Sequence, residues 1–364
     1  MAKIKKTKQT KNKNKKTSKK KMTILFASIS VLNVVVILCF VLAYGNLFGF
    51  QDWLVTTAMT TGKHQYLAYV LYDADTIAEV QARNTTQSGG SSNAGDIDIH
   101  ADTHTDTYAN DYERLVLDRE YNAYRTYEEN GEVIYKIIHL TTDADGVEGY
   151  AAFIYDPSRI SVALSKDFPN YGEQVYKYYS TAGAKLAINA GAHGYGGDNT
   201  ILPAGNLIVD GTLVNSYSGS PLNGGGVIGF NSEGVLLLTK ARGQAAIDEG
   251  VVNGVEFGPF LIVNGVASTV NGNGGYGVHP RTVIGQRQDG IVMFLVVDGR
   301  NAETSGADIN QLIEICQRYG MYNAANLDGG GSTTMEEMGE AINNPLGDDY
   351  TVTNRFVSNV FMVK

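Results

Sequence analysis

The hydropathy pattern opens with one uninterrupted apolar run. Thr23–Tyr44 carries no charged side chain and is rich in Val, Ile, Leu and Phe; the preceding Met1–Met22 holds eleven lysines and no acidic residue. At 1.5 Å per residue, a helix of this length reaches about 33 Å, enough for a hydrocarbon core of about 30 Å. A cleaved leader has a shorter apolar core and a small-residue cleavage site, so the run predicts an uncleaved single-pass anchor. Lysines on its N-terminal side place that end in the cytosol and everything after Gly45 outside the cell.

Beyond the run the periodicity changes. From Gln51 to Arg83 the apolar positions Trp53, Leu54, Leu67, Val70, Leu71, Ile77 and Val80 predict one or two helical segments, interrupted near Gly62. Asn84–Asn93 has no hydrophobic period and the Ser/Thr/Gly/Asn composition of a linker. Asp96, Asp98, His100, Asp102, His104 and Asp106 then alternate with other residues. In a strand all six would share one face suited to a divalent cation, but a charged low-complexity run reads first as a solvated acidic spacer.

From Tyr108 onward, short β-branched and aromatic runs alternate with turn residues. Val133–Leu140, Gly149–Tyr155 and Ile160–Leu164 are predicted strands, with turns at Asp145-Gly146 and Asp156-Pro157. Gln174–Tyr179 reads as a helix closed by Gly183, and Lys185–Ala190 as a strand delivering Asn189 to a glycine-rich loop, Gly191–Asp198, that contains His193. Leu207–Val214, Gly226–Phe230, Val235–Thr239, Phe257–Val263, Arg281–Gly285, Ile291–Val297 and Phe356–Val363 continue the strand pattern. Ser305–Gly320 is the clearest helix, with Ser305 as cap and a stripe at Ile309, Leu312, Ile313, Cys316 and Tyr319. It joins the strand before Asp298 to the strand ending at Asn326, so Asp298 and Asp328 are expected at the carboxyl ends of strands linked by a crossover, a common ligand position.

The expected fold is α+β: a mixed, β-sheet-rich catalytic domain with flanking helices over 108–364, preceded by a basic cytoplasmic tail (1–22), a transmembrane anchor (23–44) and an extracellular helical stalk with an acidic linker (45–107). Charge narrows the function. The 364-residue chain has a net charge of -9; removing the tail's +11 leaves -9 minus 11, or -20, for Thr23–Lys364. Such an acidic body repels nucleic acid rather than releasing its counterions. The two cysteines fall in the apolar run (Cys39) and in a predicted exterior helix (Cys316), which excludes a disulfide framework and a cysteine-based zinc site. An exterior domain of this size without disulfides suits a bacterial surface.

Candidate chemistry centres on Asn326–Met335, which reads Asn-Leu-Asp-Gly-Gly-Gly-Ser-Thr-Thr-Met. Glycines let amide N–H groups converge on a ligand oxygen, and hydroxyls add donors at the rim, an arrangement for a sugar or a phosphate; the plainer reading is a turn or bulge. The polar residues at strand ends are Asn189, His193, Glu256, Arg281, Asp298, Arg300 and Asp328. Arginines hold phosphate oxygens, while carboxylates stabilise an oxocarbenium-like sugar, attack it or activate water. Against this, Arg281 and Asp298 can simply pair with each other, and a lone His193 can simply be solvated.

Five segments in order, Ala187-Ile-Asn-Ala-Gly191, Phe257-Gly-Pro-Phe-Leu-Ile-Val-Asn-Gly265, Pro280-Arg-Thr-Val-Ile-Gly285, Val297-Asp-Gly-Arg300 and Asn326-Leu-Asp-Gly-Gly-Gly-Ser332, resemble the phosphodiester glycosidase family. That family includes an enzyme that removes N-acetylglucosamine from a phosphodiester on mannose, and bacterial exopolysaccharide-associated proteins. The resemblance covers about 135–363. It implies a site lined by Asn189, Arg281, Asp298, Arg300 and Asp328 with Gly329, Gly330, Gly331 and Ser332; Glu256 is added from its position before the Phe-Gly-Pro segment. Ala192-His193 stands where the family often has Gly-Phe or Phe-Phe, so the aromatic wall of the pocket is expected to differ. The implied activity is hydrolysis of a sugar-1-phosphodiester in a surface polysaccharide or wall polymer, catalysed by Asp328, Asp298 and Glu256. Substrate contacts are expected from Asn189, His193, Arg281, Arg300, Gly329–Gly331 and Ser332. No cofactor is required on this reading; a divalent cation is compatible but has no motif to support it. The expected partners are the glycosyl-phosphate substrate and, through the N-terminal helix, the membrane. A glycan-binding assembly factor and a glycosyl-phosphate transferase are the alternatives.

Overall fold

A computed structural model describes residues 2–140, 146–195, 200–344, 346 and 355–364, with side chains from Lys20 onward except at 195. The side chains of the basic tail up to Lys19, Asp145 of one expected turn and Gly196–Asp198 of the glycine-rich loop lie outside the described residues. The chain is sheet-rich and mixed, as expected.

Helix α1 (Ala2–Tyr44) runs through the apolar segment; Lys20–Val41 is exposed, and Ala43 near its end is buried. Its length and composition fit a membrane anchor and a signal sequence alike. Three short helices follow: α2 (Phe50–Met59), α3 (Tyr66–Leu71) and α4 (Ala74–Arg83). Their apolar faces bury Val55, Ala58, Ala68, Tyr72, Ile77 and Val80 in a small core of their own, and the Tyr72 hydroxyl donates to the Ala43 carbonyl at 2.8 Å. Breaks at Gly62 and before the Asp73 cap divide the region into three helices rather than two.

The segment expected as linker is a strap. Thr85–Gln87 pairs antiparallel with Thr269–Asn271. Further along, Ser92 N–H donates to Leu238 O (2.7 Å), Asn93 N–H to Asn264 Oδ1 (2.8 Å) and Asp98 N–H to Gln288 O (2.7 Å). Polar composition misleads here because these contacts run through backbone groups, which every residue type carries. The alternating acids that follow form no strand; Ile97 and Ile99 turn inward against a core cluster, Asp96 accepts from the Tyr322 hydroxyl at 3.0 Å, and Asp98, Asp102 and Asp106 are exposed. Asp98 and Asp102 cap the amides of His100 and His104 at 3.0 Å each.

Three sheets enclose the principal core. The largest has eight strands, in the spatial order Val266–Ala267, Phe260–Val263, Asn323–Asn326, Arg281–Gln286, Val292–Val297, Gly149–Ile154, Glu132–Leu140 and Arg125–Glu129. A five-stranded sheet contains Leu186–Asn189 between Met335–Glu337 and Asn359–Val363, and another contains Asn253–Phe257 between Leu207–Val209 and Gly226–Phe230. Their inner faces contribute Phe294, Ile284, Ala325, Ile188, Phe361, Val255 and Phe257 to one cluster. The outer face of the large sheet is covered by the helix Ile309–Arg318, whose Leu312, Ile313 and Cys316 pack on Val283, Met293 and Leu295. This crossover helix starts later than expected. Asp308, not Ser305, is its cap: the Asp308 carboxylate accepts from Gln311 N–H and the Gln311 side chain accepts from Asp308 N–H, a reciprocal box stronger than a lone serine.

Candidate active site

The large sheet sets the geometry. The Arg281 strand runs antiparallel to both the Val292 and the Asn323 strands and lies between them. Those two are therefore parallel, and Asp298, Asp328 and the start of the Arg281 strand stand at one edge. The Asn189 strand of the second sheet ends there too, because Asp328 N–H donates to Ala190 O at 3.0 Å.

Asn189 fixes this junction. Its Oδ1 accepts from Thr282 Oγ1 (2.7 Å) and Thr334 N–H (3.0 Å), and its Nδ2 donates to the Asp328 carbonyl at 2.6 Å. The side chain is buried, and through these three bonds it orients Asp328.

The glycine loop turns tightly after Asp328. Gly330–Ser332 is one 3-10 turn; Gly330 N–H donates to Pro280 O (2.8 Å), Ser332 N–H to Gly329 O and Thr333 N–H to Gly330 O (3.2 Å each). The amides of Gly329 and Gly331 are not among these. Side chains here would be strained or would displace an arginine. Gly330 has φ +59°, and an added Cβ would lie 3.2 Å from Arg300 Nη2; at Gly331 it would lie 2.7 Å from Arg355 Nη2. Two guanidinium groups thus close on the loop. Arg300 reaches it from a left-handed backbone, φ 62°, which costs a non-glycine residue roughly 1 kcal/mol or more and marks strain held at a site. Ser332 Oγ is buried beneath the turn, without a hydrogen-bond partner among the described residues.

Beside the loop, Asp328 Oδ2 lies 3.7 Å from His193 Nδ1; the carboxylate side chain is 23% exposed and the imidazole 2%. Burial holds the imidazole below its ordinary titration range against the pull of Asp328, and Arg355 adds to the depression. His193 is therefore neutral at pH 7, and it is a buried neighbour of the acid rather than a solvated loop residue.

The other expected site residues are engaged differently. Asp298 is buried; Asn343 Nδ2 donates to its Oδ1 at 2.8 Å and Asn344 N–H at 3.2 Å. Burial raises its pKa, with Glu148 adding and the Asn343 and Asn344 bonds opposing. Arg281 does not pair with it. Its Nε donates to Ala307 O (3.0 Å) and its Nη2 to Tyr276 O (2.9 Å) and Gly277 O (2.6 Å), so this buried cation clamps loops beneath the glycine turn. Glu256 lies on the face of its strand opposite Val255 and Phe257, which point into the principal core. Its carboxylate accepts from Asn206 N–H (3.1 Å), Asn206 Nδ2, Leu222 N–H (3.3 Å) and Arg242 Nη2 (2.7 Å), which leaves no vacant oxygen lone pair for chemistry. Among the described residues, no three His, Cys, Asp or Glu side chains are grouped to hold a metal ion.

The sequence profile of the family described as phosphodiester glycosidase matches residues 182–364, half of the chain. The chain belongs to the phosphodiester glycosidase family. It is 29% identical over 216 residues to the SPbeta prophage-derived uncharacterized protein YomE of Bacillus subtilis (strain 168); the match covers 57% of this chain and spans a third (33%) of that relative's length. It shares a fold, at TM-score 0.53 and 21% identity, with the zebrafish N-acetylglucosamine-1-phosphodiester alpha-N-acetylglucosaminidase catalytic domain auto-inhibited by pro-peptide, covering 65% of this chain and 86% of that one. All the expected site residues lie inside the matched segment. Two engaged residues escaped the sequence reading, Arg355 and Asn343. Arg355 had one signal: it is the only arginine between Arg318 and the C-terminus. Asn343, in an unremarkable Asn-Asn pair, had none.

Proposed function

We propose that this member of the family hydrolyses a sugar-1-phosphodiester in a surface polysaccharide or wall polymer, with α1 holding the domain at the outer face of a membrane. The observation that carries the reading is the pairing of a partly open carboxylate, Asp328, with a glycine turn flanked by Arg300 and Arg355. The phosphate oxygens lie between the guanidinium groups, where paired charge-assisted donors neutralise the leaving group. A phosphate leaves with little protonation, so no strong general acid is needed. Asp328, its backbone fixed by Asn189, attacks the anomeric carbon or deprotonates the attacking water. The C1–O bond breaks, its electron pair goes to the phosphate monoester, and water supplies the new sugar hydroxyl and a proton to the medium. Neutral His193 walls this acid and adds no positive charge beside it.

The test is incubation of the full chain with a methyl glycosyl-1-phosphate diester and with UDP-N-acetylglucosamine, with and without a chelator. Chelator-insensitive release of free sugar is expected. Saturable binding without release would replace hydrolysis by glycan retention, and products that shift with added alcohols would make the chain a transferase. Protease protection of the N-terminus, but not of 45–364, in sealed inside-in vesicles checks the orientation.

A further inference from the structure

Helix α2 lies outside the segment 182–364, yet its polar side is bonded to the loop that leads into Arg281. Val55 and Ala58 face the small helical core, which turns Thr56, Thr57 and Thr60 the other way. Thr56 Oγ1 accepts from Asn273 Nδ2 at 2.8 Å, and Thr57 Oγ1 accepts from Val278 N–H at 3.2 Å. Thr60 Oγ1 lies 2.8 Å from His279 Nε2 and 3.2 Å from Tyr276 O. Gly277 permits the close approach: its φ is +64°, and a Cβ there would fall 2.5 Å from Thr57 Cα.

The same loop holds the site. Tyr276 O and Gly277 O accept from Arg281 Nη2, Pro280 O accepts from Gly330 N–H, and His279 exchanges backbone bonds with Ala307, whose carbonyl also takes Arg281 Nε. Two threonine hydroxyls are therefore joined, through the five residues 276–280, to the backbone of the turn beneath Arg300 and beside Asp328.

We propose that Thr57 and Thr60 are positioning residues for the glycine turn, so that α2 belongs to the working site although it precedes the family segment. The proposal rests on reading that turn as the cradle of the substrate phosphate. Displacement of the 276–280 loop moves Pro280 O and with it Gly330, and a misplacement near 1 Å is enough to cost a site up to ~10²-fold.

The test uses two full-chain double variants. Thr57→Val with Thr60→Val removes both hydroxyls and keeps the branched shape; Thr57→Ser with Thr60→Ser keeps the hydroxyls and removes the methyls. The valine variant is expected to lower kcat/KM on the glycosyl-1-phosphate diester roughly tenfold, mainly through KM, and to speed amide exchange at Gly330; the serine variant is expected to retain both properties. Wild-type kcat/KM and Gly330 exchange in the valine variant would overturn the proposal, as would equal damage in the serine variant, which would reduce the contact to packing. If the wild-type chain releases no sugar, the hydrolase reading fails by itself. Gly330 exchange and tungstate affinity, both expected to worsen only in the valine variant, then decide the positioning claim.

Discussion

Asp328 and Glu256 were expected to share one task, and the structure gives them opposite surroundings. Glu256 is completely buried and satisfied by two Asn206 donors, an amide and the Arg242 guanidinium. Asp328 keeps part of its carboxylate exposed, beside a neutral imidazole and a glycine turn approached by two cations. A carboxylate whose lone pairs are filled by fixed donors is a structural brace, whereas one held by its backbone and left open at its oxygens is available for chemistry.

Replacement of Asp328 by Asn, read as turnover in the diester assay, should lower kcat at least ~10²-fold with an unchanged melting temperature. The matching change at Glu256 should do the reverse. Glu256→Ala leaves the Asn206 and Leu222 amides without their acceptor and should cost about 3 kcal/mol in denaturant unfolding, while the folded fraction keeps its kcat. Exchange of these two outcomes would break the comparison.

Smaller effects sharpen it. Arg355→Ala should raise KM about tenfold with little change in kcat, as expected for loss of one charge-assisted contact to phosphate. Its removal should also let His193 titrate closer to its usual range, which NMR titration of the imidazole would register as an upward shift. The smallest effect concerns Glu336, behind the glycine turn. Burial, assisted by Glu337, pushes its carboxyl up to about 8 from an ordinary 4.5, against an opposing bond from Gly339 N–H. With the folded pKa raised, the stability it contributes is complete below pH 4.5 and is lost as pH rises toward 8. Glu336→Gln should flatten that decline, so the variant gains melting temperature relative to wild type at pH 8 and not at pH 4.

Much of the large sheet was legible because its strands are buried on both faces and read as apolar runs: Val292–Val297 and Arg281–Gln286 were bounded to within a residue or so. Asp328 and its glycines were legible because backbone approach demands that composition. Sequence could not show which way polar side chains turn. Arg281 and Asn189 stand where expected but spend their donors inward, on carbonyls that only the closed fold brings near. The strap escaped for a related reason: a ladder made of backbone groups leaves no hydrophobic period.

The strap also limits how the domain can be released. A cut within 84–93 would pull Thr85–Gln87 from its partner and strip Thr269–Asn271 of its only neighbour in that ribbon. It would also detach the helix that holds the 276–280 loop. The short connection between α1 and α2, residues 45–49, is the place where the chain can be severed without opening the body. A cut there leaves α2 with the body it braces.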